Sequence, residues 1–352
     1  MRIGLYGLPT AGKSFVLDHI KNLEVFSGSH LLKALSSNFY ELSEQAKEKV
    51  RKNLALELKN KDNFIMDGHY SFGENVVFTK EDGQLYETFL YLYVSPEILL
   101  NRMQASSKNR SYLQYDIQKW QLFEIEALRT YCHENNKDFY VIDNPSGGYF
   151  SDISVILAFI DSILCGYSCV NYAKEIAFKI DNVDTVSLID GDRTFIREDS
   201  STTLGYKTNL FDGNFYTGFQ AWRHHRDLAE YLCVTNDSNQ SIEEMKFSPN
   251  ENVIRKIEGT PVILTTGYSG IWKQIAKQKS IVLYYGAQMC SDTKYFITKF
   301  IQEKGSRVIA FGDSMNDYYM LKQADIGFLV LKQDGSVSSS LWGRNLEGLR
   351  YV

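Results

Sequence analysis

The sequence predicts a two-domain α/β protein, each domain a mainly parallel sheet flanked by helices. Three observations carry this. An apolar opening run, Met1 to Tyr6, breaks into a glycine-rich turn and then a helix-forming stretch. A second apolar run, Val186 to Ile189, ends in Asp190, Gly191 and Asp192. A third, Val308 to Phe311, ends in Gly312, Asp313 and, four residues on, Asp317. Short apolar runs that alternate with helical stretches are the pattern of strand–helix units in a parallel sheet. With 352 residues the chain is long enough for two domains that each bury a core.

Apolar residues make up 44% and charged residues 23%, a globular balance. The net charge of −5 argues against a broad basic surface, and so disfavours nucleic acid as a partner. Five cysteines, at 132, 165, 169, 233 and 290, lack a paired metal-ligand spacing. They are expected to be reduced structural thiols of a cytoplasmic protein. No signal segment and no membrane span is expected. Oligomeric state is not written in the sequence.

Taken in order, the strand Met1 to Tyr6 runs into Gly7-Leu8-Pro9-Thr10-Ala11-Gly12-Lys13-Ser14, which satisfies Gly-x4-Gly-Lys-Ser. A helix from Phe15 to Asn22 follows. Glycines there let backbone N–H groups curl around phosphate oxygens at a helix N-terminus. This is the context of a P-loop. Gly7, Pro9, Thr10, Ala11 and Gly12 would wrap the phosphates of ATP, Lys13 would reach the β- and γ-phosphates, and Ser14 would ligate Mg²⁺. The segment Val25 to Lys33 resembles the acceptor-binding segment of nucleoside monophosphate kinases. Ser27 and Lys33 match it in chemistry, with Lys33 in place of the usual arginine. A charged amphipathic helix is expected over Glu41 to Asn60.

The strand Asn63 to Tyr70 contains Asp67-Gly68, which resembles the Asp-Gly-Phe-Pro-Arg segment of the same kinases. Asp67 would either hold a Mg²⁺-bound water or accept a proton from a hydroxyl acceptor. His69 is read as a polar exit-loop residue, with contact to substrate as the alternative. Glu87 to Val94 reads as a buried strand, and Ser95-Pro96-Glu97 as a helix start. Arg102 and Arg110 bracket a short basic segment, expected to be a lid over ATP whose arginines steady the transferring phosphoryl group. A long helix from Tyr115 to Asn135, a strand from Asp138 to Ile142, a turn at Asn144 to Gly148 and a helix from Ile153 to Leu164 complete a kinase-like domain over 1–164. Residues 165–182, with a helix from Tyr172 to Ile180, are expected to connect it to the next domain.

From residue 183 onward the chain resembles the haloacid dehalogenase superfamily of phosphatases, most closely its phosphoserine-phosphatase-like branch. Four pieces occur in order. They are Asp190-Gly191-Asp192-Arg193-Thr194, the strand end Thr265-Thr266, Lys294 at a helix start, and Gly312-Asp313-Ser314-Met315-Asn316-Asp317. The resemblance implies that Asp190 attacks phosphorus and forms an aspartyl-phosphate. Asp192 would protonate the leaving oxygen and then deprotonate water. Asp190, the Asp192 carbonyl and Asp313 would hold Mg²⁺, with Asp317 in support. Thr266 and Lys294 would bind phosphoryl oxygens. Arg193 stands where many relatives have glycine, its side chain expected to point away from the phosphate. The stretch 195–259 would be a substrate-selecting cap, and His224 and His225 are read as its polar surface.

The function expected is a bifunctional kinase and phosphatase acting on a nucleotide or other small phosphorylated metabolite, with ATP as donor. Two alternatives stand beside it. One is a polynucleotide 5′-kinase/3′-phosphatase that heals ends. The other is an ATP-sensing domain that regulates a phosphatase.

Overall fold

The computed structural model describes residues 1–143, 152–181, 183–211, 215–235 and 247–352. They form two compact units, Met1–Tyr167 and Ser168–Val352. The turn expected at 144–148 lies outside the described residues. Within the expected connector, the helix Cys169–Lys179 belongs to the second unit, where Val170, Ala173, Ile176 and Ala177 are buried. Four apolar residues on one helical face explain that docking.

In the first unit the strands are β1 (Arg2–Tyr6), β2 (Glu24–Ser27), β3 (Phe64–Asp67), β4 (Ser71–Phe72), β5 (Asn75–Val76), β6 (Thr88–Leu92) and β7 (Asp138–Ile142). The main sheet has the order β2-β3-β1-β6-β7 and is parallel throughout, while β4 and β5 form a small antiparallel pair. All five residues of β6 and of β7 are buried, as continuous apolar strands must be when helices cover both faces. β1 lies between β3 and β6, so the strand order reverses at its end. A crevice opens at such a switch point. Helix Lys13–His19 starts there, and helix Gly28–Leu35 starts at the end of β2.

In the second unit the strands are β8 (Thr185–Asp190), β9 (Thr260–Thr265), β10 (Val282–Tyr285), β11 (Arg307–Gly312), β12 (Ile326–Leu329) and β13 (Arg350–Tyr351). They run parallel in the order β10-β9-β8-β11-β12-β13. Alternate side chains of β8 feed opposite faces. Val186 and Leu188 join a core with Phe296, Ile297, Val308 and Ala310, and Ile189 joins one with Ile263, Trp272, Ile309 and Phe311. Each Val, Leu, Ile or Phe among them contributes about 1.5–3 kcal/mol by leaving water. β8 sits between β9 and β11, so the ends carrying Asp190, Thr265 and Gly312 emerge side by side.

Among the described residues no single helix is long and apolar enough to cross a membrane.

Candidate functional site

The second unit gathers its charged residues at those strand ends. Asp190, Asp313 and Asp317 are buried, and one carboxylate oxygen from each lies within 4.8 Å of the others. The Lys294 ammonium donates to Asp190 Oδ1 at 2.5 Å and to Asp317 Oδ1 at 2.7 Å. Its helix, Ser291–Glu303, brings it there with no solvent exposure. Asp317 also caps the helix Met315–Gln323, because its Oδ2 accepts from the backbone N–H of Asp313 at 3.1 Å and of Ser314 at 3.3 Å. That capping locks the loop between β11 and the helix.

Burial and the neighbouring Asp317 push the Asp190 carboxyl up to about 7 against the pull of Lys294. Burial raises Asp313 to about 6, opposed by Arg193. Burial pulls the Lys294 ammonium down, but Asp190 and Asp317 outweigh it and hold it above the usual lysine range. Three carboxylates around one ammonium leave an excess of negative charge in a dry place. This oxygen-only donor set suits a hard divalent cation such as Mg²⁺.

Asp192 stands apart from that triad. Ser200 holds it, donating its N–H to Oδ1 at 2.9 Å and its hydroxyl to Oδ2 at 3.0 Å. Burial and then Asp199 raise its carboxyl to about 7. Thr266 meets the side-chain amide of Asn316 at 3.5 Å, which ties the end of β9 to the loop after β11. The backbone here is tight. A Cβ on Gly191 would lie 2.5 Å from the Trp272 ring, and one on Gly267 would lie 2.4 Å from Trp272 Nε1 and 2.6 Å from Asp192 Oδ2. Arg193 departs from expectation. With φ 57° it takes a left-handed turn, and its guanidinium reaches back to Asp313 Oδ2 at 3.2 Å and Asp199 Oδ2 at 3.3 Å. Two nearby carboxylates outbid solvent for it.

The first unit holds a cavity of about 650 Å³, lined by Pro9 to Ser14, Asp67, His69, Arg51, Asp82 and aromatic rings including Tyr6 and Tyr86. Gly7 and Gly12 have φ of 146° and 103°, and Thr10 has 66°, so the turn curls as a phosphate cradle requires. Lys13 is buried and donates to the carbonyl oxygens of Gly7 and Leu8. Burial pulls it down to about 8, with Asp67 and Glu124 opposing. Asp67 Oδ1 accepts the Gly28 N–H at 2.8 Å, and Ser27 is its register partner on β2.

Not every residue named from the sequence reaches this cavity. Lys33 lies outside its lining, with its ammonium 5.2 Å from the centre of the Tyr40 ring. Arg102 braces the turn from behind, donating to the Thr10 carbonyl at 3.1 Å and more loosely to that of Ala11. Arg110 donates to the Gln104 carbonyl at 2.9 Å. Lys108 and Asn109, between them in sequence, do line the cavity.

Residues 292–339 match the family model described as haloacid dehalogenase-like hydrolase. That segment lies within the second unit. It includes Lys294, Asp313 and Asp317 and begins after Asp190 and Asp192 in the chain. No curated protein matches the sequence. Among solved structures, a HAD-family hydrolase from Salmonella enterica subsp. enterica serovar Typhi aligns at 16% identity with TM-score 0.34, over 52% of this chain and 75% of its own. A shikimate kinase from Acinetobacter baumannii aligns at 16% identity with TM-score 0.34, over 47% of this chain and 92% of its own. A substrate-bound phosphoserine phosphatase aligns at 13% identity with TM-score 0.33, over 44% of this chain and 90% of its own.

Three further groups stand out, of which Glu124 carries no sequence expectation. His69 lines the cavity with its Nδ1 buried and without a hydrogen-bond partner among the described residues. Burial and Lys13 push its ring well below the usual histidine range. Glu124 is fully buried and accepts from Ser71, Trp120 and Tyr91. Its place on one face of the helix Ile117–Glu134 was a readable signal. His224, expected on a polar surface, is buried beside the rings of Tyr206 and Phe211. Desolvation moves it down to about 4. Between β8 and β9 the described residues include the helices Ser200–Thr203, Gly218–Thr235 and Glu251–Ile254.

Proposed function

We propose that the chain is a bifunctional enzyme. Its second unit hydrolyses phosphomonoesters through an aspartyl-phosphate, and its first transfers a phosphoryl group from ATP to a small metabolite. The observation that carries the hydrolytic half is the bridge from Lys294 to Asp190 and Asp317, with Asp313 closing the triad. Asp190 attacks phosphorus while the bond to the leaving oxygen breaks, and Asp192 gives that oxygen its proton. A carboxyl near 7 is well matched to this step and to its reverse. Asp192 then takes a proton from water as the water attacks phosphorus, and the bond to Asp190 breaks to release phosphate. Lys294 neutralises charge on the phosphoryl oxygens, and Thr266, 3.5 Å from the Asn316 amide, offers them its hydroxyl. Mg²⁺ among Asp190, the Asp192 carbonyl, Asp313 and Asp317 would supply further positive charge to those oxygens.

For the transferase half, the support is a cradle and a carboxylate facing one cavity. A cavity of about 650 Å³ suits small molecules. Asp67, fixed by Gly28, would take the acceptor's hydroxyl proton, and Lys13 would leave its carbonyl partners for the transferring phosphoryl group. Ser14 would hold the nucleotide's Mg²⁺.

The test is a screen for phosphate release from small phosphomonoesters and 3′-phosphorylated oligonucleotides, on wild type, Lys13→Ala and Asp190→Asn. Release from small esters by the first two and not by Asp190→Asn is expected. Equal release by Asp190→Asn would reject the nucleophile, and a preference for oligonucleotides would replace the small-metabolite reading. The transferase half is checked by ATP turnover across candidate acceptors, expected in Asp190→Asn and absent in Lys13→Ala.

A further inference from the structure

Arg193 breaks two local rules at once. Its backbone sits at φ 57°, where a side chain is unfavourable and glycine is at ease. Its guanidinium is half exposed yet bound on two sides, Nε to Asp313 Oδ2 at 3.2 Å and an Nη to Asp199 Oδ2 at 3.3 Å. Asp313 is one of the three buried carboxylates whose oxygens cluster within 4.8 Å. Asp199 lies outside that triad, at the start of the helix Ser200–Thr203, whose first residue orients Asp192. The turn itself is held independently of the side chain, because the Arg193 N–H donates to the Glu198 carbonyl at 2.9 Å. The guanidinium therefore holds the charge on Asp313 without being needed to shape the loop.

We propose that Arg193 is a metal-displaced latch that determines specificity at the hydrolytic site. It neutralises Asp313 until a divalent cation takes that carboxylate. Still tethered to Asp199, it then meets an anionic group on the substrate's leaving portion. This rests on the hydrolytic reading above. A unit positive charge within hydrogen-bond distance of a ligand carboxylate must weaken cation binding, and partial exposure reduces the effect without changing its sign. The preferred substrates are then phosphomonoesters whose leaving group bears a carboxylate or a second phosphate.

The experiment titrates the full chain, free of nucleotide, with Mg²⁺ in a calorimeter, using wild type, Arg193→Gly, Arg193→Lys and Asp313→Ala. Arg193→Gly suits the left-handed turn and is expected to fold. Its Mg²⁺ affinity should rise by about fivefold or more, while Arg193→Lys stays near wild type. Asp313→Ala should lose the binding heat. Unchanged or weaker binding by Arg193→Gly, with heat still lost in Asp313→Ala, would overturn the latch and leave the metal-site reading standing. Heat retained in Asp313→Ala would instead reject the metal site itself. For turnover, Arg193→Gly should raise KM for an ester with an anionic leaving group severalfold relative to 4-nitrophenyl phosphate, with little change in kcat. Equal KM ratios would overturn the specificity role.

Discussion

Lys294 is a fully buried cation with two carboxylate partners. Removing one partner of such an arrangement strands the others, at a cost of about 3–5 kcal/mol. Lys294→Met should therefore lower the denaturant midpoint of the second unit in EDTA, and Mg²⁺ should recover part of the loss. A midpoint unchanged in EDTA would mean that the ammonium does not hold the triad together. The carboxyls give a pH prediction as well. Asp190 and Asp192 near 7 and Asp313 near 6 all lie above their unfolded value of about 4, so the folded chain holds the extra protons between these limits. Stability contributed by these groups thus falls as pH rises from about 4 to about 7. In EDTA the second unit should melt higher at pH 5 than at pH 7.5, and Mg²⁺ should narrow the gap. Melting that rises with pH in EDTA would contradict the raised values.

At the level of elements, the helix Met315–Gln323 and strand β11 are joined at very close quarters. A Cβ on Gly312 would sit 2.2 Å from the Asp317 Cβ. Gly312→Ala must push the capped helix away from the strand, costing about 1–3 kcal/mol by overpacking. It should also weaken Mg²⁺ binding, since Asp313 and Asp317 flank the displaced turn. Calorimetric melting and Mg²⁺ titration check both, and wild-type behaviour in both would show that the helix yields freely. Such short-range requirements were readable in the sequence. The glycine-rich turn, the strands ending in carboxylates and the amphipathic helices announce themselves through local residue choice. The partners of Arg193 and Glu124 did not, because Asp313 lies 120 residues from Arg193 and only the folded sheet brings them together. Strand β13 is two residues long and exposed, so it lacks the apolar run that marked β6 and β8. The burial of His224 depended on which aromatic rings would cover it, and composition is silent on that.

On the scale of the whole molecule, each unit has its own sheet and places its polar residues at the carboxyl ends of parallel strands. A ligand that binds one folded unit adds about 2.7 kcal/mol to that unit at a hundredfold excess over its Kd. An ATP analogue with Mg²⁺ should thus shift the melting of residues 1–167, followed by hydrogen exchange, and lose that effect in Lys13→Ala. A shift retained in Lys13→Ala would remove the turn at Gly7 to Ser14 from nucleotide binding. The chain contains four tryptophans, and two are wedged beside these clefts. Trp120 donates to Ser71 and Glu124, and Trp272 lies against Gly191 and Gly267. Indole emission is sensitive to its electrostatic surroundings, so a variant keeping Trp120 or Trp272 as its single tryptophan would give that cleft a private optical signal. Occupancy of either could then be timed in a stopped-flow mixer without labelling the chain.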